Sequence, residues 1–157
     1  MRRRTKPLKR KKQSKLRKVV LQARVEPGPE YEWLCAVARE LPGVEEVTSY
    51  GTPGLKVKGK ILSRLRTEAE GALALRCDFL DRQILLQADP RAFFVTEHYL
   101  NYPMVLVRLH RVRRRELRDL IVRAWRMVAP PKLVAEYDRR LAKESQTNRK
   151  KPDTSAS

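Results

Sequence analysis

Only two cysteines and two histidines occur in this 157-residue chain, and that scarcity closes several routes to function. Cys35 and Cys77 show no CxxC spacing, and no histidine stands near either at metal-ligand spacing. A zinc ribbon, a dithiol redox centre and a disulfide framework therefore have no support. Buried, reduced thiols are the reading, as suits a reducing cytosol. Long apolar runs are missing as well. Nothing approaches the roughly 20 residues that span a bilayer, and no apolar stretch of signal-peptide type follows the N-terminus. A cytoplasmic protein (nucleoid-associated if bacterial) with no membrane partner is expected. GxSxG, HExxH and a phosphate-cradling glycine loop are absent, and no internal repeat is found.

Acids are scarce too: 18 Asp+Glu face 36 Lys+Arg, a net charge of +18. The excess is uneven. Residues 1–18, MRRRTKPLKRKKQSKLRK, hold eleven basic residues and no acid, and residues 143–157 add +2, which leaves +5 for residues 19–142. Self-repelling, apolar-poor stretches cannot offset the entropy of ordering, so residues 1–28 read as a disordered basic arm and 143–157 as a disordered polar tail. A polyanion is the natural partner of Arg2, Arg3, Arg4, Lys9, Arg10, Lys11 and Lys12, through counterion release. A solubilising tail and an address of the KRKK type are the other readings of the same stretch.

What remains suffices for a core. Hydrophobic residues make up 41% of the chain, and residues 29–142 have the length of one domain. Pro27-Gly28-Pro29 marks its start. Tyr31, Leu34, Cys35, Ala38 and Leu41 fall at helical spacing over 30–41, and Pro42-Gly43 stops the helix. Residues 55–58 alternate with period two, Gly59-Lys60 turns, 61–66 continues as a second strand, 67–71 turns again, and 72–77 is a third. Asp78 reads as the N-cap of a short helix over 79–88. Two more strands follow at 92–95 and 104–109. Leu117, Leu120, Ile121, Ala124, Trp125 and Val128 share one face of a helix over 114–129, and Pro130-Pro131 separates it from a last helix over 132–141. The expected class is α+β: one antiparallel sheet of about five strands with helices packed on one face.

The clusters LPGVEEVTSYGTPGLKVKGKILSRL, LRCD, ADPRAFFVTEHYLNYPMVLVRL and AWRMVAPPKLVAEYD stand in one collinear order. Together, over about residues 30–140, they resemble the MmcQ/YjbR family. The resemblance implies a CyaY-like fold and DNA binding by a double-wing arrangement of sheet and hairpins. Arg113 stands where such proteins often have an acidic helix cap, Pro130-Pro131 doubles a usual single proline, and the arm lies outside the family domain. These added cations favour an anionic partner. An iron site, which the CyaY-like topology raises, would want an acidic ridge on the first helix. Glu30, Glu32, Glu40, Glu45 and Glu46 are too scattered for that, so no metal or cofactor is expected.

The candidate contacts are cationic. Hairpins of the meander would present Lys56, Lys58, Lys60, Arg64 and Arg66, with Arg76 on the same polar face in some combination. Arg111, Arg113, Arg114 and Arg115 form a second cluster placed to clamp a phosphate. The stretch Thr96 to Pro103 admits a general base, His98, beside Tyr99 or Tyr102 as acid. Its simpler reading is a turn, with both tyrosines covering the sheet edge and His98 hydrogen-bonded to backbone. Tyr50-Gly51-Thr52-Pro53-Gly54 reads as a shaped loop ahead of the first strand. Few aromatics are interleaved with the basic residues, so duplex backbone contact is expected ahead of base stacking. The expected function is non-enzymatic nucleic-acid binding, with duplex DNA ahead of RNA. The rival is a protein-interaction or small-ligand module whose basic tail solubilises it or associates with ribosomes or RNA.

Overall fold

The computed structural model describes residues 27–49, 51–66 and 72–149. Residues 1–26, which hold all the arm cations named above, lie outside the described residues, as do the expected 67–71 turn and residues 150–157.

The helices form where the apolar spacing places them. Helix α1 (Pro29–Arg39) buries Tyr31, Leu34, Cys35, Val37 and Ala38, and carries Glu30 and Glu32 in its first turn, where the helix dipole favours acids. Helix α2 (Phe79–Ala88) is capped by Asp78, whose carboxylate accepts from the Asp81 amide at 2.8 Å. Helix α3 (Arg114–Val128) buries Leu117, Leu120, Ile121, Ala124, Trp125 and Val128, the six residues that the period of 3.6 placed on one face. Helix α4 (Pro131–Arg149) packs through Tyr137. It runs seven residues into the stretch expected as a polar tail. Lys143, Glu144 and Gln146 are good helix formers, and a helix already nucleated by packing adds one hydrogen bond per residue it fixes.

Among the described residues six antiparallel strands make one sheet, β1 (Val44–Ser49), β2 (Thr52–Val57), β3 (Lys60–Leu65), β4 (Ala72–Arg76), β5 (Phe93–Phe94) and β6 (Met104–Arg108), in the order β1-β2-β3-β4-β6-β5. The added strand is β1, whose sequence VEEVTS shows no clean alternation. As an edge strand it is half-exposed on both sides, so the apolar pattern that reveals inner strands is missing. Of the YGTPG segment, Tyr50 lies outside the described residues, Gly51 has φ 76°, and Thr52, Pro53 and Gly54 already belong to β2. Lys58 (φ 47°) and Gly59 (φ 80°) both adopt positive φ, the conformation of a two-residue type I′ hairpin turn.

One irregularity decides which side chains reach each face of the sheet. Leu55 pairs with Ser63, yet Lys56 pairs with Ile61, so Leu62 is the extra residue of a bulge. The bulge turns both Leu62 and Ser63 into the core while Ile61 and Arg64 point to the opposite face. Gly54 lies so close to β3 that a Cβ there would sit 2.9 Å from the Ser63 carbonyl oxygen. The described α-helices cover one face only. Against them pack Leu55, Val57, Leu62, Leu65, Leu73, Leu75, Val105 and Val107 of the strands, with Trp125 at the centre. The Trp125 indole donates to the Pro42 carbonyl at 3.0 Å and meets the Tyr137 ring edge-on at 5.1 Å.

Candidate functional site

Among the described residues the other sheet face carries no α-helix. Directly paired residues in a ladder share a side of the sheet, so the pairings Lys56–Ile61, Gly54–Arg64, Arg64–Ala74, Arg76–Met104 and Ala74–Leu106 put three cations on one surface. Its floor is a small apolar cluster of Ala74, Met104 and Leu106, with Ile61, Phe94 and Tyr99 packed against it. A cavity of about 420 Å³ opens here, lined by Lys56, Arg64 and Arg76 on one side and by His98, Tyr99 and Tyr102 on the other.

The cations are held in place. The Arg64 Nε donates to the Thr52 hydroxyl at 2.9 Å, and that hydroxyl donates to the Ser49 carbonyl at 2.8 Å. Arg76 turns Nε and one terminal nitrogen onto the Ile61 carbonyl, each at 3.2 Å. Beside the cavity, the Arg66 guanidinium lies 5.3 Å from the Tyr99 ring centre and that of Arg108 lies 4.0 Å from the Phe94 ring centre. Among the described residues neither Lys56 nor Arg76 forms an ion pair. Glu45, opposite Lys56, is the one carboxylate that the described strands place on this face.

The aromatic wall depends on a residue that sequence reasoning missed. Arg82 is a buried side chain on α2. One terminal nitrogen donates to the carbonyls of Tyr99, Tyr102 and Met104 at 3.0, 3.0 and 3.3 Å, and the other to that of Leu100 at 3.0 Å. A single guanidinium thus satisfies four carbonyls of the 99–104 turn and fixes its shape. Its sequence signal was weak: Arg82 is one of several polar residues, with Asp81, Gln83 and Gln87, in a short mixed helix.

His98 corrects an expectation. Its ring makes no backbone hydrogen bond among the described residues. It is exposed, in a 3-10 turn (Glu97–Tyr99), edge-on to Tyr99 at 4.8 Å and tilted against Tyr102 at 5.9 Å. Of the residues expected from sequence, Lys56, Arg64 and Arg76 meet in the cavity and Arg66 stands next to it. Lys58 and Lys60 go instead to the exposed tip of the β2–β3 hairpin. Arg113 and Arg114 sit at the start of α3 on the helical side. Arg114 is engaged there, its Nε and Nη2 donating to the two Glu30 carboxylate oxygens at 3.1 and 3.2 Å, with the guanidinium near the Trp33 ring. The expected phosphate clamp at 111–115 therefore loses one of its arms to an internal acid.

A larger groove of about 600 Å³ lies between α1 and the β1–β2 hairpin, lined by Tyr31, Cys35, Arg39 and Glu46 among others. Its Arg39 and Glu46 pair with each other, so it offers an anion little. Burial raises the Tyr31 hydroxyl and the Cys35 thiol above their ordinary values. Burial, with Asp81 and Asp78 nearby, pushes Cys77 up to about 11. Neither thiol is activated. Among the described residues no group of His, Cys, Asp or Glu is arranged to hold a metal ion, and no helix is long and apolar enough to cross a membrane.

The sequence profile of the YjbR family matches residues 39–127, which span α1's last residue through most of α3 and so include every wall of the cavity. A stretch of 53 residues is 43% identical to a Mycobacterium bovis protein described as "Uncharacterized protein Mb2600" and, equally, to the Mycobacterium tuberculosis protein "Uncharacterized protein Rv2570". The match covers 34% of this chain and 41% of each relative, well under half of their length. No solved structure matches the chain significantly.

Proposed function

The chain belongs to the YjbR family, and we propose that it is a non-enzymatic nucleic-acid-binding protein whose contact surface is the helix-free face of the sheet. The observation that carries this reading is the row of cations Lys56, Arg64, Arg66, Arg76 and Arg108 across a surface that no α-helix among the described residues covers. Phosphate contacts from such a row supply affinity without sequence preference. The β2–β3 hairpin, with Lys58 and Lys60 at its tip, extends that surface as a wing beside the duplex. The basic arm, residues 1–18, adds eleven cations, and a cytoplasmic, DNA-associated location follows from such a partner. The absence of turnover is part of the proposal. Among the described residues no carboxylate and no thiol lines the cavity, which leaves no carboxylate pair for acid–base work there.

Binding of a labelled DNA duplex by the full chain and by a chain lacking residues 1–18, each across a salt series, tests the reading. If about half of the arm's cations engage phosphates, the slope of log K against log salt falls by roughly 4–6 on deletion. The shortened chain should still bind at low salt through the sheet face. No binding by either chain at low salt would reject the proposal. One observation favours the rival, a protein-interaction module: Phe79, Leu80 and Ile84 stand exposed on α2. Retained partner capture by a chain that ignores DNA and RNA at both low and moderate salt would turn the reading that way.

A further inference from the structure

The cavity on the helix-free face joins two chemically different walls. Lys56, Arg64 and Arg76 supply fixed positive charge, and His98, Tyr99 and Tyr102 supply rings. A smooth duplex keeps its bases paired and stacked, so only its phosphates reach such a recess. The ring wall would then face nothing. An unpaired nucleotide uses both walls, because its phosphate and the π-face of its base are exposed together. The volume of about 420 Å³ falls within the roughly 300–1,000 Å³ of small-ligand sites. Tyr102 is 56% exposed at the rim, where a base would cover it. Both walls are preorganised: Thr52 and the Ile61 carbonyl hold the guanidinium groups, and Arg82 holds the 99–104 turn through four carbonyls.

We propose that this cavity takes one nucleoside phosphate unit, with the phosphate against Lys56, Arg64 and Arg76 and the base against Tyr102 and His98. Within a nucleic acid that unit is an unpaired nucleotide, at a strand end or in a single strand. The inference rests on the nucleic-acid reading and sharpens it. The cations and rings that lie apart in the sequence meet in space, which removes the ground for expecting duplex contact ahead of stacking.

The test uses the full chain and four probes at one salt concentration: a labelled short single strand, a closed dumbbell duplex without ends, free AMP, and inorganic phosphate. The single strand should bind more tightly than the dumbbell, and AMP should displace it at lower concentration than phosphate does. Tyr102→Ala should weaken the single strand by about 5–150-fold, the range of one lost stacking contact, and leave the dumbbell unchanged. Lys56→Gln, which leaves the rings intact, should weaken both strand and AMP. Thermal melts of each variant check that the fold is retained. Equal affinity for strand and dumbbell with no effect of Tyr102→Ala would overturn the cavity assignment while nucleic-acid binding stands. Displaceable AMP binding without binding of either polymer would keep the cavity's ligand and remove the polymer. No binding of any probe would remove both.

Discussion

Arg76 on the open side of the sheet is positioned differently from four arginines on the helical side. On the helical side Arg39, Arg114, Arg118 and Arg126 each meet a carboxylate, of Glu46, Glu30, Glu40 and Asp138 respectively. On the open side Arg76 is held by the Ile61 backbone carbonyl and forms no ion pair among the described residues. A carboxylate cancels the charge it positions. A carbonyl positions a guanidinium and leaves its net charge in place. Net charge therefore says less about function than the kind of partner each cation has.

That contrast can be broken at several points. The largest effect should come from Trp125→Ala, which empties the centre of the helical side and frees the Pro42 carbonyl. About 3–5 kcal/mol of stability should be lost, read by denaturant melts, with nucleic-acid binding lost only through unfolding. Next, Arg82→Ala leaves four carbonyls short of a donor and should cost about 2–3 kcal/mol. If the turn is pinned as described, limited proteolysis should then cut near residues 99–103 in the folded state. Unchanged protection would show that the turn holds itself.

Charge removal on the two sides should then diverge. Lys56→Gln with Arg76→Gln should leave the melt almost unchanged and lower the slope of log K against log salt by up to about 2. Arg114→Ala should change neither slope nor affinity, because its charge already faces Glu30. Equal losses from both would erase the distinction between the faces. The smallest effect concerns Asp138, which Arg126 holds below the usual carboxylate range by hydrogen bonding and charge. A depressed folded pKa stabilises above the unfolded value and fades as pH falls through the folded one. Asp138→Asn should therefore melt slightly lower than the parent at pH 7, with the gap closing below about pH 4. A gap that widened in acid would contradict the assignment.

Much of this architecture was legible in the chain. The inward face of α3, both ends of α2 and the three meander strands follow from spacing, because burial on one side imposes a period of 3.6 or 2 on apolar residues. Strand β1 escaped, since an edge strand half-exposed on both sides has no such period to show. Lys58 read as continuing the alternation of Lys56 and Lys60 as part of the turn, but positive φ at Lys58 and Gly59 places the turn there and carries both lysines to a hairpin tip. The helical end of α4 also outran its pattern, because a solvated helix needs only propensity and a nucleus.

The sequence by itself determined the helix faces, the α+β class, the quiet thiols and a surplus of cations, all of which depend on local order and composition. Only the tertiary structure decided which cations matter together. Lys56, Arg64, Arg76, Tyr99 and Tyr102 come from three strands and a turn, so no spacing along the chain links them. The bulge at Leu62 sets which side Arg64 faces, and Arg82 sets where the rings stand. Register and long-range hydrogen bonds act between segments that pattern reading treats one at a time.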